Sequence, residues 1–310
     1  MSPRKVIVTV APTGGMGSKQ QNPNLPTQPE EIAEQVARCC ELGASIAAIH
    51  ARRPEDDAPT CNPEVYRRIN ELVRERCDII VNNSTGGGVG GDMTRELGSG
   101  LEEISFEERL KGLEAEAEMA TFDCQTIVAL SGDGEFLVNT TPKKCDALAQ
   151  RMREKGIKPE WEVFDLPHML QDMTRLIEAG YDDSPHYVNI VLNAHHGFQG
   201  ALPYTPKILQ MMVEALPENC IFNVSAIGPA QLPATTHAII LGGHVRVGLE
   251  DNIYYAKGEL ATNEQLVERT VRIIRELGHE PATPSEAREM LGLRPVEAPV
   301  GAGEADGGQR

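Results

Sequence analysis

Eight short β-rich runs alternate with helical patterns along this 310-residue chain. The runs are Val6–Ala11, Ser45–His50, Ile79–Asn83, Glu118–Thr121, Glu160–Phe164, Tyr187–Leu192, Ile221–Ala226 and Val245–Leu249. Between them, Glu30–Leu42, Pro63–Arg76, Phe106–Ala117, Thr141–Lys155, Pro167–Ala179, Thr205–Leu216 and Leu232–Leu241 carry helical spacing or a Pro/Thr start signal, and Asn263–Leu277 follows the last strand. Strictly alternating elements of this kind build a parallel sheet with crossover helices, and eight units over about 250 to 280 residues is the size of a (β/α)8 TIM barrel. An open doubly wound sheet is the alternative. It calls for Gly-x-Gly-x-x-Gly after the first strand and an acidic residue ending the second. Thr13-Gly14-Gly15-Met16-Gly17-Ser18 matches only half of that motif, and the second strand ends at His50. The barrel is therefore expected over residues 1–295, followed by a disordered Gly-, Ala- and Glu-rich tail from about Val296 to Arg310.

Forty-six acidic against 29 basic residues give a formal charge of -17. Nucleic acids and anionic membrane surfaces need basic footprints, so both are excluded as partners, and any anionic ligand must be held by local donors. Seven cysteines form no Cys-x-x-Cys pair, and Cys39 and Cys40 are adjacent on a helical stretch. That pattern points to a reduced compartment. With no apolar leader-like segment and no run long enough to span a bilayer, a cytoplasmic protein is expected.

In such a barrel the C-terminal strand ends meet at one face, and chemistry is sought there. The eighth strand leads through Gly242-Gly243-His244-Val245-Arg246-Val247-Gly248-Leu249 to Glu250-Asp251-Asn252. It brings a guanidinium, two carboxylates and a carboxamide to one terminus, with Arg246 and Glu250 toward the same side. A surface salt bridge is the plain structural alternative. His50 is open to three roles: metal ligand, oxyanion donor or hydrogen-bonded core histidine. With Glu250 as a hard oxygen donor and a second imidazole, it would suit a Lewis-acid Zn2+ site. Ser84-Thr85-Gly86-Gly87-Gly88 reads as an anion nest or as a plain flexible loop, and it lacks the ending of a nucleotide P-loop. Glu160 and Glu162 flank Trp161 and share a face, where one can be held protonated by the other or both can brace Arg52 or Arg246. Asn193-Ala194-His195-His196-Gly197 ends the sixth strand, and the Met211-Met212 pair reads as core packing.

Assembled, these residues resemble the β-keto acid cleavage enzyme family from about Val6 to Leu291. The likeness rests on Thr13-Gly14, Asn24-Leu25-Pro26, His50-x-Arg52, Ser84-Thr85-Gly86-Gly87, Glu118-Met119-Ala120-Thr121, Glu160-x-Glu162-Val163 and the Gly242 to Asn252 segment. The resemblance implies a zinc-dependent TIM barrel, usually tetrameric. It also implies a retro-Claisen acyltransferase that condenses a β-keto acid with acetyl-CoA and releases acetoacetate and a new acyl-CoA. By position it implies His50 and Glu250 as zinc ligands, and Ser84, Gly87 and Thr121 in the substrate pocket, with Thr85, Gly86, Arg52 and Met16 beside them. Arg246 and Asp251 match the charged pair that forms and steadies the carbanion, with Glu162 as the third catalytic candidate.

Two departures stand out. The family pattern His-x-His-x-Arg reads Ala48-Ile49-His50-Ala51-Arg52 here, so one zinc ligand is missing. His195 or His196 is expected to replace it, with a metal-free site as the next reading. Met16 stands where a family member acting on an amine-bearing keto acid has a glutamate, and a thioether cannot pair with an ammonium. An apolar or neutral substrate tail is therefore expected. In the expected mechanism, a cation chelates the ketone and carboxylate, Arg246 forks onto the carboxylate, and Asp251, or the Asp251–Arg246 pair acting through water, removes the proton. A metal-assisted C–C lyase or hydrolase, or a non-catalytic binding homologue, are the competing readings.

Overall fold

The computed structural model describes residues 3–98 and 100–293, so the expected tail over 296–310 lies outside the described residues. Eight parallel strands close into a barrel: β1 (Val8–Val10), β2 (Ile46–Ile49), β3 (Ile80–Asn83), β4 (Met119–Asp123), β5 (Lys158–Val163), β6 (His186–Leu192), β7 (Cys220–Ala226) and β8 (His244–Val247). Each pairs in parallel with its sequence neighbours, and β8 returns to β1 through Val245 opposite Val8 and Val247 opposite Val10. Closure excludes the open doubly wound sheet.

Helices α1 (Pro29–Leu42), α2 (Pro63–Arg74), α3 (Phe106–Lys111), α4 (Pro142–Lys155), α5 (Thr174–Glu178, entered through a π-helical turn over His168–Met173), α6 (Pro206–Glu214), α7 (Gln231–Ile240) and α8 (Asn263–Glu276) surround the sheet. Four of them start with proline just inside the first turn, where the missing N–H leaves no hydrogen bond unmade. None of the described helices is long and apolar enough to cross a membrane.

Two additions decide where a ligand can enter. At the N-terminal end of the barrel, Ile7, Ile46, Ile80, Met119 and Tyr187 pack with Ala287 and Leu291 of a ninth helix, α9 (Pro284–Leu291). That end is plugged by apolar side chains. At the opposite end a four-stranded sheet covers part of the mouth, built from Thr94–Glu96, Glu102–Ile104, Ile127–Ser131 and Gly134–Val138. This cap is not among the elements expected from the sequence. Its signal was present: Ile127–Leu130 and Phe136–Val138 flank Gly132-Asp133, and Ser131 pairs with Gly134 around that two-residue turn. Gly132 has φ +59°, the left-handed first position that makes glycine the favoured residue of such a hairpin.

Candidate active site

A cavity of about 150 Å³ opens between the C-terminal strand ends and the cap. Its floor is polar, with His50, Ser84, Glu162, Arg246, Glu250 and Asp251, and its wall is apolar, with Ile104, Ile127, Ala129 and Val138 from the cap and Phe164, Val191 and Phe198 from the barrel side. Glycine makes the floor compact at two points. A Cβ on Gly248 would lie 2.0 Å from the Ala11 carbonyl oxygen, so only glycine lets the end of β8 press against β1. Gly14, at φ +69°, lies under Glu250, and a Cβ there would meet its Cγ at 2.6 Å.

Arg246 is the hub of the floor. Its Nε and Nη2 donate to the two oxygens of Asp251 at 3.0 and 2.9 Å, Nη1 donates to Glu162 Oε1 at 3.0 Å, and Nη2 donates to Glu250 Oε1 at 2.5 Å. Burial pulls the guanidinium pKa down, but Asp251, Glu250 and Glu162 outweigh it and hold the group firmly charged. The carboxylates are driven apart in acidity by the same cluster. Burial pushes Glu250 up, yet the Arg246 and His50 charges bring it down to about 2. Burial pushes Asp251 up to about 6 against the pull of Arg246. Burial and then the Asp123 charge push Glu162 well above the ordinary carboxylate range, against the pull of Arg246. One layer deeper, Glu160 is fully buried and accepts from the Asn82 and Asn223 amides at 2.5 and 2.9 Å; burial raises its pKa despite Arg246.

This arrangement corrects one expected role. Arg246 does not offer an open fork to a substrate carboxylate, because Asp251 already occupies it and only one guanidinium N–H is left without a protein acceptor. The expected brace between the paired glutamates and arginine is present for Glu162 and Arg246 only. Arg52 instead donates to the carbonyls of Gly14, Asp57 and Gly17, holding the loop after β1 in place behind the cavity.

His50 directly follows β2, with Nδ1 2.8 Å from the Gly87 carbonyl oxygen and Nε2 3.3 Å from Glu250 Oε1. Ser84, Gly86, Gly87 and Met16 line the cavity as expected. Thr85 and Thr121 do not. Thr85 N–H donates to Thr121 Oγ1 and Thr85 Oγ1 to the Thr121 carbonyl, so each satisfies the other and ties β3 to β4. His195 and His196 are also elsewhere: their rings meet at a 41° tilt with centroids 4.0 Å apart, and neither lines the cavity. Asn193 takes φ +61° and turns the chain out of β6, and Leu130 N–H to Gly197 O and Gln199 N–H to Val128 O then fasten the loop to the cap. Among the described residues, no three His, Cys, Asp or Glu side chains come together as a metal group.

Asp123 and Gln125, not among the expected site residues, also line the cavity. The fourth strand, expected to end at Thr121, continues to Asp123. The alternation Met119, Thr121, Asp123 along one face was the available signal. Asp123 faces Arg109 Nη2 at 3.8 Å, and Arg109 also donates to Thr85 O and Thr140 Oγ1.

Comparison with known proteins agrees with this geometry. The sequence profile described as beta-keto acid cleavage enzyme matches residues 5–293. A 3-keto-5-aminohexanoate cleavage enzyme of Acetoanaerobium sticklandii is 38% identical over 291 residues, spanning 93% of this chain and 98% of the relative. A 3-dehydrocarnitine:acetyl-CoA trimethylamine transferase of Rhizobium meliloti is 32% identical over 301 residues, with 94% and 97% covered. Among solved structures, the binary complex of ObcA with oxaloacetate superposes with a TM-score of 0.70 at 19% identity, over 87% of this chain and 68% of that one, a likeness of fold.

Proposed function

The chain belongs to the β-keto acid cleavage enzyme family, whose members cleave β-keto acids with acyl transfer to and from acetyl-CoA, and from that premise we propose that its own substrate is a 3-keto acid with an uncharged, apolar tail. The observation that carries this reading is the two-ended cavity. The polar floor suits the carboxylate and ketone, and Ile104, Ile127, Ala129, Val138 and Phe198 offer the tail no charge. Met16 stands at the same cavity with a thioether. Asp123 is the one carboxylate near the wall, and Arg109 behind it offsets its charge.

The substrate carboxylate is assigned to Ser84 Oγ, His50 and the Gly86 to Gly88 turn, with the remaining Arg246 N–H beside them. Asp251, held by both oxygens on Arg246 and raised to about 6, is ionised at neutral pH and basic enough to take a proton from C2 of the keto acid. The resulting carbanion attacks the acetyl carbonyl and expels the CoA thiolate. The thiolate adds to the original ketone, the C2–C3 bond breaks, and the electron pair leaves on C2 as the acetoacetate carbanion, which recovers its proton from Asp251. Glu162, whose carboxyl is pushed up by burial and Asp123, lines the same floor and is the candidate proton donor to an oxygen on which charge develops. Arg246 positions Asp251 and supplies the fixed positive charge. No step runs through a metal.

A homo-oligomer, a tetramer by resemblance, belongs to the same reading, and light scattering on the purified chain tests it. The seven cysteines, all free, fit the reduced cytoplasmic setting read from the sequence. The central test is a panel of 3-keto acids offered with acetyl-CoA, with acetoacetate and the new acyl-CoA followed by mass spectrometry. Alkyl-tailed acids should give the highest kcat/KM, and Asp251→Asn should abolish turnover while the fold persists. Best turnover of an ammonium- or carboxylate-tailed acid would sink the assignment of the tail, and keto acid loss without acetyl-CoA would point to a lyase.

A further inference from the structure

We infer that this chain does not hold the resident zinc that its family resemblance implies. Ala48 on β2 and His50, the residue that follows the strand, are separated by one intervening residue, and Ala48 is buried with nothing to donate. What remains is one imidazole and one carboxylate, His50 Nε2 and Glu250, 3.3 Å apart. Catalytic zinc is held by three protein ligands, and a pair gives neither the affinity nor the fixed geometry of that set.

The rest of the structure does not make up the difference. Glu250 Oε1 already takes an N–H of Arg246 at 2.5 Å, so the carboxylate has its positive partner, and only Oε2 is left without one. The imidazoles expected to replace the lost ligand, His195 and His196, sit in a loop whose backbone is fastened to the cap through Gly197 and Gln199. Neither lines the cavity that Glu250 lines. The floor of this cavity is thus held together by Arg246, with only two of the three metal ligands of the family pattern present.

The test reads metal content, so it is independent of which keto acid is cleaved. Protein purified without chelator is incubated with zinc, desalted and analysed by elemental mass spectrometry, alongside Ala48→His and His50→Ala. The unaltered chain should retain well below one equivalent, and Ala48→His, which restores a His2Glu set, should raise retention at least about tenfold. Stoichiometric zinc in the unaltered chain that falls in His50→Ala overturns the inference, as does a folded Ala48→His protein that gains no zinc. Zinc retained equally by His50→Ala lies elsewhere and leaves it standing. If Ala48→His fails to fold, the unaltered chain and His50→Ala still decide.

Discussion

Arg246 stays charged inside the barrel because three carboxylates surround it, and His244, two residues earlier on β8, stays neutral because its surroundings reward no charge. His244 Nδ1 accepts the Ile7 N–H at 3.0 Å, which clips β8 to the start of β1. Burial, and then the Arg4 charge, bring its pKa down to about 3. An ordinary histidine titrates near about 6.5, so between these values the unfolded chain binds a proton that the folded chain refuses. The sign follows from linkage: stability from this group is complete above the unfolded value and is lost as pH falls toward the folded one. The slope is at most about 1.4 kcal/mol per pH unit. His244→Asn keeps an acceptor for Ile7 without a titrating ring. Urea unfolding of both proteins from about pH 6.5 to about pH 4.5 should show a shallower loss for the variant. Parallel curves would mean that His244 does not contribute to acid sensitivity.

At the scale of elements, the two ends of the barrel do different work: α9 seals the bottom, and the cap hairpin shapes the ligand. Ile127 lies on the first hairpin strand, is buried, and presents its side chain to the cavity wall. Each methylene of complementary surface in such a pocket is worth about 1–3 kcal/mol, or roughly 10- to 200-fold in specificity. Ile127→Ala should therefore lower kcat/KM for the longest accepted tail by at least about tenfold, with a smaller change for the shortest, because only the long tail reaches the wall. Equal losses on both would show that Ile127 acts on the floor instead. The eight barrel strands were legible in the sequence because each is a compact apolar run between helices with clear starts. The cap was not, since its strands mix exposed and buried positions and arise inside connections that the βα pattern treats as loops. The site divides the same way. Arg246, Glu250 and Asp251 lie within six residues of one another in the chain and can be read together. The mutual satisfaction of Thr85 and Thr121, and the fastening of the His195-His196 loop to the cap, depend on strands distant in sequence and could not.

For the molecule as a whole, the formal charge of -17 acts on a co-substrate that is itself an anion. Acetyl-CoA, implied by the family, carries several phosphate charges and must approach a protein whose far field repels it, so its capture depends on local donors near the mouth. Long-range repulsion is screened by salt: the Debye length shrinks from about 30 Å at 0.01 M to about 8 Å at 0.15 M ionic strength. Close hydrogen bonds in a partly buried cavity are screened far less. Raising ionic strength across that range should thus increase kcat/KM for acetyl-CoA, while kcat/KM for the keto acid, a single carboxylate, rises less. Steady-state kinetics with each substrate varied in turn separates the two. A fall for acetyl-CoA would instead reveal a positive patch at the mouth strong enough to reverse the field of the whole chain. The direction of the salt effect therefore measures whether the acidic composition hinders the approach of the co-substrate or is overcome locally.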